Sequence, residues 1–471
     1  MRLSRLDALG KIRCSFSSSI ININMSFVVV ISIISVIIQV MDRSFGNTVI
    51  LSLQNLFPRA DVLVFGLLII ISIAMQSVLI KYTSRSAKIE GNRSRLGRIL
   101  FVVTVLLQYS VIGILITILF QIVFRSEYNV YLLETVAGIN LITSSILLAI
   151  LSSRFIRAFM NVSSKVVLAY SVGIAALSLS GIITFIYIDS FLQRKPDYIT
   201  SLYNPWTSYA PTTVSQIFSA YQLIGIISFV TLWIATVFLT NHYASRTKTK
   251  YWIMVSIPII YFASIYLITY LEHLHLLELL RISDNPVYGY VYNLFLNTVK
   301  TAGGIMFGFE FFAISRKISH VQLKQSINMA GIGLILLFGA NASSLIIMTP
   351  YPPWGIISIS FMIVGAYFIV IGLDSAGLYL ATDSSLRKII QISPLKDYDI
   401  LKSLGQAKVQ DAVLSRVQHV SKQVIDELES NNLVRTSLEP VDIRQYIQEV
   451  IREKTTIDLS LSQKQKDRVS D

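Results

Sequence analysis

The sequence predicts an all-α fold: a polytopic helical membrane protein with about ten transmembrane helices and a small helical cytoplasmic tail. Three observations predict it. Hydrophobic residues make up 53% of the chain and charged residues only 14%, against roughly 25% charged in soluble domains. Apolar runs of about 20 residues, each long enough to cross a ~30 Å hydrocarbon core, recur between Ile20 and Ala381. The Lys and Arg residues between those runs alternate strictly between rich and poor flanks.

In chain order, residues 1–19 form a basic lead with Arg2, Arg5, Lys11 and Arg13. The first span is expected at about Ile20–Met41 and the second at Val62–Ile80, joined by a loop holding Asp42, Arg43, Pro58 and Arg59. The basic loop Lys81–Arg98 leads to spans at Ile99–Phe124 and Val130–Leu151, which are joined by a turn around Arg125–Asn129. The fifth span, Val166–Ile188, is followed by a long polar and aromatic loop, Asp189–Ser219. Spans six to ten are expected at about Ala220–Thr240, Tyr251–Leu271, Leu294–Ile314, Ile327–Met348 and Ile356–Ala381. A proline-rich turn, Thr349–Pro353, joins the last two.

Counted from the N-terminus, the odd-numbered flanks carry 4, 6, 3, 3 and 3 Lys/Arg, and the intervening ones 2, 1, 2, 1 and 0. The expected topology therefore has both termini in the cytoplasm. Residues 20–381 make the membrane domain. The formal net charge of +13 arises in loops and not in a basic face with exposed aromatics, which argues against nucleic-acid binding. Cys14 is the only cysteine, so no intrachain disulfide and no cysteine metal site can form. The first apolar run is too long for a cleaved signal peptide. Tyr203, Trp206, Tyr209, Tyr288 and Tyr290 suit an interfacial aromatic belt, or the lip of a ligand site.

Residues 382–471 form a charge-balanced tail. Val409, Val413, Val417, Val420, Val424 and Leu428 recur every three or four positions, which makes one apolar stripe on a helix over about Gln406–Ser430. Ile443, Tyr446/Ile447 and Val450/Ile451 make a second stripe after Pro440. Such stripes need a partner: each other, a second copy of the chain, or another cytoplasmic protein. Arg387 and Lys388, with Leu386, Ile389 and Ile390, suit the anionic inner leaflet.

The segment Val424–Glu453 includes Leu438–Ile443 (Leu-Glu-Pro-Val-Asp-Ile) and Tyr446–Val450 (Tyr-Ile-Gln-Glu-Val). It resembles the junction that joins the second dimerisation helix of membrane sensor histidine kinases to their ATP-binding domain. The resemblance implies a dimerising helix pair but no kinase activity. The nearest counterpart of the phosphoacceptor motif, Ser384–Ile389, has no histidine, and no ATP-binding domain follows. An unrelated helical hairpin is the preferred reading, with a kinase-like dimerisation remnant as the alternative.

Within the spans, Lys300, Glu310 and Asp374 are the candidate functional charges, because an ionisable group in hydrocarbon costs roughly 3 kcal/mol or more. Lys300 and Glu310 lie ten residues apart on one helix, roughly 15 Å, too far to pair. A Lys300–Asp374 pair or a Glu310/Asp374 carboxylate pair is geometrically open. A relay or substrate-charge site is the functional reading; a structural ion pair with Glu310 snorkelling to the interface is the bland one. Gly303, Gly304 and Gly308 predict close helix packing and a central position for their helix. Asn341, Gln76 and Gln108 are expected to hydrogen-bond between helices.

Outside the spans, Glu272, His275 and Glu278 form a weak candidate metal set, although a solvated helix end accounts for them better. There is no HExxH, no phosphate-binding glycine loop and no Ser/His/Asp arrangement in a known context, so neither a cofactor nor catalysis is expected. The expected function is a non-catalytic sensor that relays an outside or bilayer signal to the tail. The alternatives are a secondary transporter, built from two inverted halves of five spans, and a membrane scaffold.

Overall fold

The structure, a computed structural model, describes residues 25–44, 60–89, 95–162, 164–193, 195–200, 212–244, 248–273, 286–340, 351–392 and 399–430. Nine helices take the positions expected for the first nine spans: α1 (Met25–Ser44), α2 (Ala60–Ile89), α3 (Arg95–Arg125), α4 (Val130–Val162), α5 (Lys165–Leu192), α6 (Thr212–Ala244), α7 (Lys248–His273), α8 (Pro286–Arg316) and α9 (Val321–Ala340). The tenth position holds two helices, α10 (Ile356–Ser360) and α11 (Met362–Thr382). The tail supplies α12 (Ser384–Ile392) and α13 (Asp399–Ser430).

Among the described residues, eight helical stretches are long and apolar enough to cross a membrane: those of α1 to α6, α9, and α10 with α11. In α7 the apolar stretch is confined to Val255–Ser264, in a helix that also contains Pro258. The expected end of the ninth span, beyond Ala340, and its Asn341 lie outside the described residues.

The centre of the bundle is the tenth position. Every residue from Pro352 to Leu373 is buried, as befits a helix that is apolar on all sides. It packs most extensively on α9, and also on α4. The α9–α11 crossing is close because glycines face backbone: a Cβ on Gly333 would lie 2.6 Å from the Ile369 nitrogen, and one on Gly365 would lie 2.9 Å from the Leu337 nitrogen. The helix expected to be central, α8, instead sits to one side, against α9, α7, α6 and α1. Its glycines mark close contacts, but α9 and α11 carry three each that do the same; glycine content alone does not identify the middle of a bundle.

One element departs from the all-α expectation. Two three-residue strands, β1 (Glu127–Asn129) and β2 (Tyr198–Thr200), pair antiparallel, with Tyr128 opposite Ile199. Both of those residues are fully buried. Ser126, at φ 55°, ends α3 in the left-handed region and returns its N–H to the Ile122 carbonyl at 3.1 Å, a C-cap geometry usually left to glycine. The "turn" and the "long loop" of the sequence are thus joined. The end of the bundle that carries this ribbon is the hairpin end; the opposite end carries α12 and α13 and is the tail end.

Candidate functional site

At the tail end, Asp374 on α11 binds two cations. Its Oδ1 accepts Arg154 Nη1 of α4 at 2.5 Å and Lys408 Nζ of α13 at 2.7 Å. Asp374 is only partly exposed, at 16% for its side chain, so solvent screens the pair incompletely. Two glycines let the tail helix come this near. A Cβ on Gly377, one turn beyond Asp374, would touch Lys408 Cγ at 3.3 Å, and one on Gly405 would meet Leu380 Cβ at 2.9 Å. Ile400, Leu401, Ser403 and Leu404 are buried in the same interface.

The tail helix therefore begins at Asp399, ahead of the expected Gln406, and its first turns are packed against α11, α4 and α5. Further along, Val413 and Val420 are 40% and 51% exposed. Val417 is half-buried. Val424 and Leu428 lie on the same helix by position. Just before the tail, Asp383 caps α12: its Oδ1 accepts the N–H groups of Ser385 and Leu386 at 2.9 and 3.1 Å and the Ser385 hydroxyl at 2.7 Å. Those bonds hold its carboxyl below the ordinary aspartate range.

The pairings that sequence leaves open for Asp374 are replaced by these. Lys300 instead donates from Nζ to Tyr221 Oη of α6 at 2.7 Å, 4.7 Å from the centre of that ring. Glu310 does not snorkel; it is 4% exposed and accepts the Tyr170 hydroxyl of α5 at 3.2 Å. The reason is directional: Lys300, Glu310 and Asp374 face three different neighbours.

The glycines of α8 sit where neighbouring side chains and backbone come close. A Cβ on Gly303 would enter the ring of Phe229 on α6, one on Gly304 would strike Phe338 of α9, and one on Gly308 would lie 2.5 Å from the Gly331 carbonyl oxygen. Phe229 fills the Gly303 cradle and stacks on Phe262 at 4.0 Å, with Phe307 at 5.5 Å. Aromatic pairs of this kind add about 0.5–1.5 kcal/mol to their area term.

At the hairpin end lies a polar centre that the sequence reading assigned to a loop. Asp42 and Arg43 belong to α1 and are 0% and 2% exposed. Asp42 accepts the backbone N–H of Gly355 at 3.1 Å and, from Ser358, the backbone N–H at 2.9 Å and the hydroxyl at 2.8 Å. The cause is local. Gly355 enters α10 at φ 91°, a conformation suited to glycine, so it has no side chain to cap the helix it begins. Asp42 supplies that cap from another helix. Arg43 Nη2 donates to Thr301 Oγ1 at 2.8 Å, beside Lys300.

Where α10 gives way to α11, Gln108 Nε2 donates to the Ser360 carbonyl at 3.0 Å and to Gln76 Oε1 at 2.8 Å. Gln76 Nε2 donates to Ser360 Oγ at 2.6 Å. The expected interhelical role of both glutamines is observed. What sequence missed was their target, a break in the central helix.

His275 and Glu278 of the candidate metal set lie outside the described residues, as does most of the kinase-like segment, residues 431–453. Among the described residues, no three His, Cys, Asp or Glu side chains converge on a metal-sized site. No protein-family model, curated protein or solved structure matches this chain.

Proposed function

We propose that the chain is a ten-span protein of the cell membrane, with both termini cytoplasmic, that relays the state of its membrane bundle to its helical tail without catalysis of its own. The observation that carries this reading is the bridge from Asp374 to Arg154 and Lys408. One carboxylate on the central helix holds an outer helix and the tail helix together, so a shift of α11 along its axis must be felt at the base of α13. A relay of this kind needs a packed, bistable contact more than a chemical site.

The output would be the apolar stripe beyond that base. Val413, Val417, Val420, Val424 and Leu428 would pair with a second copy of the chain or with a cytoplasmic partner, as the resemblance to kinase dimerisation helices suggests. The expected seventh and eighth spans, α7 and α8, would complete the ten and preserve the Lys/Arg alternation. The transporter alternative is less well supported, because Lys300, Glu310 and Asp374 engage different helices and do not form one coupling site.

A direct test uses the full chain in liposomes with Cys14→Ser and Val420→Cys. Oxidative cross-linking should give a dimer, with a yield that changes several-fold when Lys408→Glu is added. A chain that stays uncross-linked and monomeric in both backgrounds would overturn the dimeric output. An unchanged yield would overturn the role of the bridge.

A further inference from the structure

Lys300 poses a charge-balance problem at the hairpin end of the bundle. Its ammonium is only partly buried, and its recorded partners are the hydroxyl and ring of Tyr221. Among the described residues, no carboxylate lies within ion-pair distance of it; the ion pairs of Asp374 are made elsewhere. A hydroxyl and a ring face stabilise a cation less than a paired carboxylate does.

A second cation approaches the next residue of α8. Arg43 reaches Thr301, the residue after Lys300, and Arg43 and Tyr187 both interact electrostatically with the same Tyr221. The carboxylate adjacent in sequence, Asp42, directs its oxygens to Gly355 and Ser358 on α10 and also interacts electrostatically with Arg43, so the charge it offsets is that of Arg43. The Lys300 ammonium meets the Tyr221 hydroxyl between α6 and α8, and Arg43 of α1 meets α8 one residue further on, at Thr301. Guanidinium, ammonium and hydroxyl donors are the complement of an oxyanion.

We propose that the seam between α6 and α8 at Lys300 and Tyr221 binds a small oxyanion of the phosphate class, either free or as the headgroup of an anionic lipid. The anion supplies the counter-charge that Lys300 lacks among the described residues. Arg43 sets the local field from the far side of Thr301, and Tyr221 orients the ammonium. The inference deepens the relay reading by naming what the bundle senses, but it is tested by binding alone, so its failure would leave the cross-linking test of the tail unaffected.

The experiment uses the full chain in nanodiscs of phosphatidylcholine. In one arm, inorganic phosphate is titrated and thermal stability and calorimetric heat are followed. In the other, phosphatidylglycerol is introduced into the disc without phosphate. A soluble oxyanion predicts saturable phosphate binding, weakened roughly tenfold or more by Lys300→Met and retained by Lys300→Arg. A lipid headgroup predicts no phosphate effect but stabilisation by phosphatidylglycerol, with the same dependence on residue 300. If Lys300→Met fails to fold, Tyr221→Phe replaces it and should weaken whichever response the wild type gives. No response in either arm, or responses indifferent to both residues, overturns the proposal.

Discussion

The carboxylate of Asp42 accepts the backbone N–H of Ser358 at 2.9 Å, although 316 residues separate them in sequence. A helix beginning in the middle of an apolar bundle has no water to satisfy its first N–H groups, and Asp42 takes that place. Asp42→Ala should lower stability by about 2–4 kcal/mol, since it strands the Gly355 and Ser358 donors and deprives Arg43 of its neighbouring charge. Asp42→Asn keeps an acceptor and should cost less. Thermal midpoints of the purified variants in one detergent would rank them.

The bridge at Asp374 predicts coupling between two cations that are not in contact in sequence. Lys408→Met should increase hydrogen exchange over residues 399–410 while leaving α9 unaffected, for a cost of about 1–2 kcal/mol. Asp374→Asn should do more, because it also leaves Arg154 and Lys408 close together without an anion. In a double-mutant cycle, Arg154→Met and Lys408→Met should be non-additive by at least about 0.5 kcal/mol; additivity would show that the two cations act separately.

Glycine replacements should divide by what the new methyl meets. Gly308→Ala points at the Gly331 carbonyl oxygen on a packed backbone, and should destabilise by about 1–3 kcal/mol. Gly113→Ala and Gly225→Ala meet nothing within 4 Å, and should be neutral or stabilise by about 0.5–1 kcal/mol through helix propensity. Melting the three alanine variants side by side provides the check, and a Gly308→Ala protein as stable as Gly113→Ala would refute the close α8–α9 contact.

The cap on α12 carries a pH dependence of known sign. Asp383 is held below its ordinary value by the Ser385 hydroxyl first, then by the Leu386 and Ser385 N–H groups. A depressed carboxyl stabilises the folded state above its unfolded value, and that contribution is lost as pH falls through the lower folded value. Exchange protection of α12 should therefore hold at neutral and mildly acidic pH and fall only in strong acid. Asp383→Ala should abolish the difference, and a transition near neutrality would contradict this origin.

Helix positions were legible in the sequence because apolar runs of membrane length leave few alternatives. The close approaches at Gly304 and Gly308 fall on a small residue at every fourth position, a spacing visible in the sequence. Pairings were not. Asp42 and Arg43 follow an apolar run, where a charge ordinarily marks the water boundary, and only the glycine that opens α10 explains why they are inside. Lys408 looks like any solvated lysine until Gly377 and Gly405 bring its helix against α11. The strands β1 and β2 are three residues each, too short for any alternation to register.

The pairing of Tyr128 with Ile199 has a topological consequence. Two strands can share hydrogen bonds only from the same side of a bilayer, so the chain between residues 129 and 198 must cross it an even number of times. α4 and α5, each long and apolar enough to cross, would provide two crossings. Loss or gain of a single crossing in that stretch would tear the ribbon apart. The ribbon thus acts as a parity check on topology, independent of loop charge, and it ties the ends of α4 and α5 into a closed helical pair.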